Sequence, residues 1–309
     1  MTEDAFLREL FPRLGAIPAE IVIPPGDDCA ALRVSPGRLL LLATDQVIGD
    51  RHYCRRGPAA ATPEQVGRKL LARNLSDIAA MGGRPLYALV TAALGPEEDE
   101  EWLRRFFDGL LALGREWDTR VIGGDLARTP ADLVTTLTIV GEVAEDKVCR
   151  RSGAGAGNLL YATGCFGSAF TTGHHLAFTP RLREAQWLAA QGAVTAMIDV
   201  SDGLLLDAQR LCAASGVSLR LDPAAVPLRT PQTTRQQALT DGEDYELLVA
   251  LETQAAPRLE AEWPFPDLPF TRIGGFSAAH PGEVQDAAGR RLAVRGQAGY
   301  DHFAGAAKS

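Results

Sequence analysis

The alternation of apolar and polar positions is most regular over residues 62–85, TPEQVGRKLLARNLSDIAAMGGRP. Thr62 and Gln65 have the spacing of a capping box, Pro63 falls at the first helical position, and Gly82-Gly83 ahead of Pro85 supplies a stop. Between these signals Leu71, Leu75 and Ile78 form one apolar stripe, and Leu70, Asn74, Asp77 and Met81 form its neighbour. Asp77 therefore borders the buried face of the predicted helix. A carboxylate there is costly unless a cation or hydrogen bonds compensate it. Pairing with Lys69 or Arg73 is the structural explanation; a ligand is the functional one.

The rest of the chain alternates short apolar runs with helical patterns. Residues 4–14 read as a short helix, and Pro24-Pro25-Gly26 then forces a turn into Asp27-Asp28, which suit a solvated loop as well as a site. The run LLLLAT at residues 39–44 predicts a buried strand ending at Asp45, a recurrent place for a ligand-facing acid. His52 lies in the loop beyond, as a surface histidine or a substrate contact. Residues 86–94 predict a strand, 98–117 an amphipathic helix, 119–122 a brief strand ending in Gly123-Gly124-Asp125, and 133–143 a β-branched strand. The two glycines would let the backbone approach a neighbouring group closely, with the acid directly after them.

Residues 147–158, KVCRRSGAGAGN, are polar and Gly-rich and read as a linker. Their GAGAG run precedes a strand instead of following one, so it is not a dinucleotide-binding loop. A helix is predicted at 181–191, and a short strand at 197–200 carries Asp199 into Ser201 and Asp202. Ser201 or Asp202 could cap the helix that follows, or that helix start could face a phosphate or a metal-bound anion. Asp241-Gly242-Glu243-Asp244 precedes a strand at 245–251. Tyr300, in the tail GYDHF, is a packing anchor or the lid of a site. The two halves share an order of strand, acid-bearing turn and helix, which predicts two α/β domains.

Composition narrows the function classes. A chain of 309 residues exceeds what one core usually serves, so two domains of roughly 150 residues are expected, with the division at residues 1–146 and 147–309. With 39 acids against 31 Lys plus Arg, the net charge of −8 argues against nucleic acid or an anionic membrane as a partner. A phosphorylated ligand would be repelled unless metal cations intervened. The five cysteines are widely spread with no CxxC spacing, indicating free thiols in a reducing cytoplasm. The acidic, amphipathic N-terminus is unlike a signal peptide, and no stretch has the apolar length of a membrane span.

No P-loop, kinase glycine loop, HExxH or GxSxG occurs. What remains is a dispersed set of aspartates with few basic residues near them, an oxygen-donor set suited to hard cations such as Mg²⁺. Several Mg²⁺ ions around a polyphosphate would let an anionic chain hold an anionic ligand.

GDDCAAL at Gly26, TD at Thr44, HY at His52, NLSDIAAMG at Asn74, GGD at Gly123, RSGA at Arg151, DVSDGL at Asp199, GEDYEL at Gly242 and GYDHF at Gly299 follow one another in the order of the thiamine-monophosphate kinase family. That family is related to aminoimidazole ribonucleotide synthetase and selenophosphate synthetase. The matches span residues 26–303, and the ordered set is specific where no single motif is. The resemblance implies an N-terminal α/β domain dimerising through its sheet into a homodimer, a C-terminal α/β domain, and ATP held by several Mg²⁺ ions. It implies metal ligation by Asp28, Thr44, Asp45, Asp77, Asp125, Asp199 and Asp202. It assigns ATP to Gly124, Asp125, Arg151 and Ser201, and thiamine monophosphate to His52, Glu243 and Tyr300. The implied reaction is direct phosphoryl transfer giving thiamine diphosphate. Alternatives are another ATP-dependent enzyme of the superfamily with a different acceptor, or a nucleotide-binding regulator without turnover. The chain departs from the family at Ala43, where a hydroxyl residue is frequent, at Leu126, where Thr is usual, and at Asn158, where Asp is usual. It is also short between Gly167 and Arg181.

Overall fold

The computed structural model describes residues 10–14 and 17–292. Its strands form two six-stranded sheets, giving two mixed α/β domains. The first contains β1 (Ile21–Ile23), β2 (Ala30–Ser35), β3 (Arg38–Ile48), β4 (Arg84–Leu94), β5 (Arg120–Arg128) and β6 (Val134–Ala144), in the spatial order β1-β2-β3-β6-β4-β5. All its neighbours are antiparallel except β4 and β5. Alternation puts Leu39, Leu41 and Val47 of β3 and Leu137, Ile139 and Val143 of β6 on a buried face. Among the described residues the opposite face carries no helix of this domain, and Tyr87 and Leu89 of β4 stand 44% and 42% exposed on it.

The helix predicted at residues 62–85 is α1 (Pro63–Ala80), with both capping-box hydrogen bonds between Thr62 and Gln65 in place. It packs against β3 and β6 and against α2 (Glu100–Glu116), whose first turn is capped by the Asp99 side chain. The two helices cross where they carry no side chain. A Cβ on Gly67 would lie 1.9 Å from the Phe106 carbonyl oxygen, and one on Gly109 would lie 2.0 Å from that of Glu64. The glycines let the backbones meet, and α1 is left buried along most of its length.

The second sheet contains β7 (Leu159–Thr163), β8 (Val194–Asp199), β9 (Ser218–Leu221), β10 (Leu247–Leu251), β11 (Phe270–Ser277) and β12 (Val284–Gln285), in the order β12-β9-β11-β7-β10-β8. Its helices are α3 (His174–Ala177), α4 (Leu182–Ala190), α5 (Leu204–Ser215), α6 (Arg235–Thr240) and α7 (Ala256–Ala261). One hydrophobic core runs from Leu70, Leu75 and Ile78 of α1 into Leu182 and Leu188 of α4 and Met197 of β8, so α1 serves both domains.

Several expectations are corrected. β3 continues to Ile48, so Asp45 lies within a strand and not at its end. β5 runs through Gly123-Gly124-Asp125 instead of stopping before them. The close approach at Gly124 is to a neighbouring strand, since a Cβ there would lie 1.8 Å from the Val90 carbonyl oxygen. Residues 147–158 are tied down at both domains: Cys149 N donates to Met81 O at 3.2 Å and Met197 N donates to Arg150 O at 2.8 Å. Asn158 closes a local turn by accepting from Gly155 N at 2.7 Å and from the Thr195 hydroxyl at 2.9 Å. Of the helix expected at residues 4–14, Phe11–Leu14 is a 3-10 turn and residues 4–9 lie outside the described residues. No helix among the described residues is long and apolar enough to cross a membrane.

The crossing of α1 and α2 is directly testable. Gly67→Ala is expected to lower unfolding free energy by about 1–3 kcal/mol, the usual cost of overpacking a tight contact. Gly155→Ala meets only an ordinary 3.6 Å contact and is expected to stay within about 0.5 kcal/mol of the parent in denaturant unfolding.

Candidate active site

Three segments distant in sequence converge where α1 ends against the second sheet. The turn before β2 supplies Asp28, the last turn of α1 supplies Asp77, and the C-terminal residue of β8 supplies Asp199. One carboxylate oxygen from each lies within 4.8 Å of the other two. Asp28 and Asp199 are buried and Asp77 is partly so. Burial first, then Asp45, Asp199 and Asp28, hold the Asp77 carboxyl well above its usual range. Burial, then Asp28, does the same to Asp199. The Ser76 hydroxyl donates to Asp199 Oδ2 at 2.6 Å.

Arg151 answers part of this charge. Its Nη2 donates to Asp28 Oδ1 at 2.8 Å, its Nε to Asp28 Oδ2 at 3.2 Å, and its backbone N–H to Asp27 Oδ1 at 3.0 Å. Burial and the neighbouring Asp28 push Asp27 up to about 6. A single guanidinium stands against four crowded carboxyls. Each metal-type donor is an oxygen, and the set suits a hard divalent cation.

The helical neighbours considered as partners of Asp77 are engaged elsewhere. Arg73 pairs with Asp45, at 3.3 Å from Nε to Oδ2, and donates to Gln46 O at 2.9 Å. Lys69 is fully buried and donates at 2.5 Å both to the His52 carbonyl and to Glu243 Oε2. Glu243 Oε2 also accepts from the Tyr245 hydroxyl at 3.2 Å. His52 is itself buried, not a surface residue, and its Nδ1 accepts from Ile48 N at 2.9 Å. Glu243 and Tyr245 both have left-handed backbones, φ 68° and 51°, held by hydrogen bonds from their amides to Ser201 O and Val200 O at 2.7 and 2.8 Å. The Tyr245 ring stacks on Phe178 at 4.1 Å between centroids. Strain held in this way is a property of sites.

The remaining expected residues do not join the triad. The Thr44 side chain points to the opposite face of β3 from Asp45, donating to Leu137 O and meeting the Thr138 hydroxyl, both at 3.1 Å. Strand alternation thus sets the Thr44 hydroxyl and the Asp45 carboxylate on opposite faces of the sheet. The register sets Asp125 beside Thr91, on the face turned from the helices, and both Gly124 and Asp125 are exposed. Asp202 pairs with Arg210 at 2.5 Å, while Asp207 accepts the Asp202 amide at 3.0 Å and holds the turn in shape. Burial pushes Asp207 up to about 7. Ser201 is half-buried beside that turn, and Tyr300 lies outside the described residues.

Comparison with known proteins places the chain in a family. The family model of the AIR synthase related protein N-terminal domain matches residues 26–143, and that of its C-terminal domain matches residues 136–286. The chain is 32% identical to the thiamine-monophosphate kinase of Salmonella typhimurium, with 98% of each covered. It is also 32% identical to that of Rhodopirellula baltica, with 88% of each covered. The chain belongs to the thiamine-monophosphate kinase family. Among solved structures it resembles AaThiL complexed with AMPPCP and TMP, at a TM-score of 0.81 and 25% identity with 98% and 97% covered. It also resembles the thiamine-monophosphate kinase of Stenotrophomonas maltophilia, at 0.72 and 29% with 93% and 97% covered.

Within this member of the thiamine-monophosphate kinase family, sequence reasoning missed Asp27, Ser76, Lys69 and Asp207 as parts of the site. Asp27 and Ser76 sit beside singled-out acids in motifs already quoted, and adjacency was the available signal. Lys69 reads in the sequence only as a candidate partner of Asp77, and its burial is a tertiary outcome.

Metal-free protein should carry the cost of the crowded carboxyls. Asp77→Asn is expected to raise the melting temperature in EDTA by about 2–4 °C, the shift that about 1 kcal/mol produces in a domain of 150–250 residues. The same variant is expected to lose most of the stabilisation that millimolar Mg²⁺ gives the parent. Equal Mg²⁺ shifts in both proteins would remove Asp77 from the cation site.

Proposed function

We propose that this chain transfers the γ-phosphoryl group of ATP to the phosphate of thiamine monophosphate, giving thiamine diphosphate and ADP. The observation that carries the reading is the meeting of Asp28, Asp77 and Asp199 from three separate segments, in a chain that aligns over 98% of its length with a thiamine-monophosphate kinase. The division of labour follows the domains, which we take as residues 1–146 and 147–309.

Asp28, Asp77 and Asp199 would hold Mg²⁺, with Asp45, whose charge acts on Asp77, extending the set once released from Arg73. Bound there, several Mg²⁺ ions would supply positive charge to the transferring phosphate oxygens. Arg151 and Ser201 are assigned to ATP, and His52, Glu243 and Tyr300 to thiamine monophosphate; Gly124 and Asp125 lie on the face of the first sheet turned from the acid cluster and are not carried into this site. The acceptor phosphate is already anionic and needs no strong general base, so the protein's task is in-line positioning and charge neutralisation. Arg151 is suited to both, being a planar donor aimed at the acid cluster. No covalent enzyme intermediate is required. Burial pushes the Cys149 thiol up to about 12 and Cys29 well above its ordinary value, which suits neither to act as a thiolate nucleophile.

A homodimer is part of the reading. The helix-free face of the first sheet carries exposed Tyr87 and Leu89 beside half-buried Leu40, Leu42 and Val140, an apolar surface suited to pairing with its own copy. We assign the protein to the cytoplasm on its free cysteines.

Purified protein with ATP, Mg²⁺ and thiamine monophosphate is expected to form thiamine diphosphate, and Asp77→Asn to lower turnover about 100-fold or more. A panel of other phosphorylated acceptors tests the substrate; preference for one of them would overturn the assignment. Leu89→Glu is expected to convert a dimer to a monomer in sedimentation velocity, and a parent that already sediments as a monomer would reject the pairing.

A further inference from the structure

Lys69 is a buried charge that the proposed reaction does not use. Its ammonium is fully buried on α1, in the first domain, and its two hydrogen-bond acceptors come from different places. The His52 carbonyl belongs to the loop after β3, and the Glu243 carboxylate to the loop before β10 in the second domain. The Phe170 ring, from the loop ahead of α3, lies 5.4 Å from the ammonium and is 42% exposed. Lys69 thus sits beneath a partly open aromatic surface and ties the His52 loop of the first domain to the Glu243 loop of the second.

A buried ammonium is a poor source of stability, because desolvation offsets most of what the ion pair returns. Burial pulls its pKa down to about 8, and Glu243 is the main counterweight. Arg73 on its own helix, Asp45 on β3 and His175 beside Phe170 complete its charged surroundings. What such a pair does supply is registry. Glu243 has a strained backbone, and a fixed donor at the end of its carboxylate holds one rotamer across the domain boundary.

We propose that Lys69 is a positioning residue for thiamine monophosphate, setting His52 and Glu243 at the separation that receives the thiamine end of the substrate. The proposal rests on the assignment of His52 and Glu243 to that substrate. Lys69 donates to His52 and Glu243 and to neither the triad of acids nor Arg151, so its loss is expected to separate the two substrates kinetically.

The test is Lys69→Met in the full-length enzyme, close in volume and without charge. The KM for thiamine monophosphate is expected to rise at least tenfold, with the KM for ATP unchanged and kcat within about threefold of the parent. A purely structural lysine would lower the melting temperature without that split. An unchanged KM for thiamine monophosphate, or equal rises for both substrates, overturns the proposal. Should Lys69→Met fail to fold, Lys69→Met with Glu243→Gln leaves neither charge buried alone. Its KM for thiamine monophosphate is then expected to exceed that of Glu243→Gln, because His52 is still released, and equality overturns the proposal. Failure of the parent enzyme to use thiamine monophosphate would instead sink the substrate assignment and is seen before any variant is made.

Discussion

Crowding of like charge at the junction of the two sheets is the constraint on which the site depends. Asp28, Asp77 and Asp199 are brought within 4.8 Å of one another, with Asp27 and Asp45 close behind. Carboxylates so placed repel one another and lose their hydration, which is why burial and mutual charge push several of them upward. A fold selected for stability alone would not hold such a set. Arg151, Arg73 and Arg210 offset part of it, each on a different acid. The remainder is capacity for cations, and cations are what an anionic chain needs to receive an anionic nucleotide and an anionic acceptor.

Helix α1 turns that constraint into a defined geometry. It is capped at its start by Thr62 and Gln65, held against α2 through Gly67, and buried between the first sheet and α4 of the second domain. A rigid strut of this kind keeps its side chains in register along one face. Asp77 and Ser76 serve the acid cluster from its last turns, Arg73 restrains Asp45 one turn earlier, and Lys69 reaches Glu243 one turn before that. The two ends of the proposed reaction are therefore indexed along a single helix at 1.5 Å per residue. Motion between the domains that disturbed α1 would disturb both ends at once.

The sequence by itself determined the helix, its caps, most of the strands around it, the presence of two α/β domains and, through nine short motifs in order, the family. These are local properties: capping residues, apolar periodicity and turn glycines act within a few positions of themselves. It misjudged Asp45 and Gly123-Gly124-Asp125 as strand ends, because where a strand stops depends on the neighbour it pairs with, here β6 for β3 and β4 for β5. It did not find β1, β2, β9, β11 or β12, whose pairing across the sheets outweighs a weak local pattern such as the Gly274-Gly275 of β11. It also could not say which aspartates share a site. Only the tertiary structure decided that Asp28, Asp77 and Asp199 meet while Asp125 and the Thr44 hydroxyl face the other side of the first sheet, and that Lys69 is spent on Glu243 and not on Asp77. Residues separated by more than a hundred positions come together through the packing of α1 between two sheets, and no property of either residue alone encodes that distance.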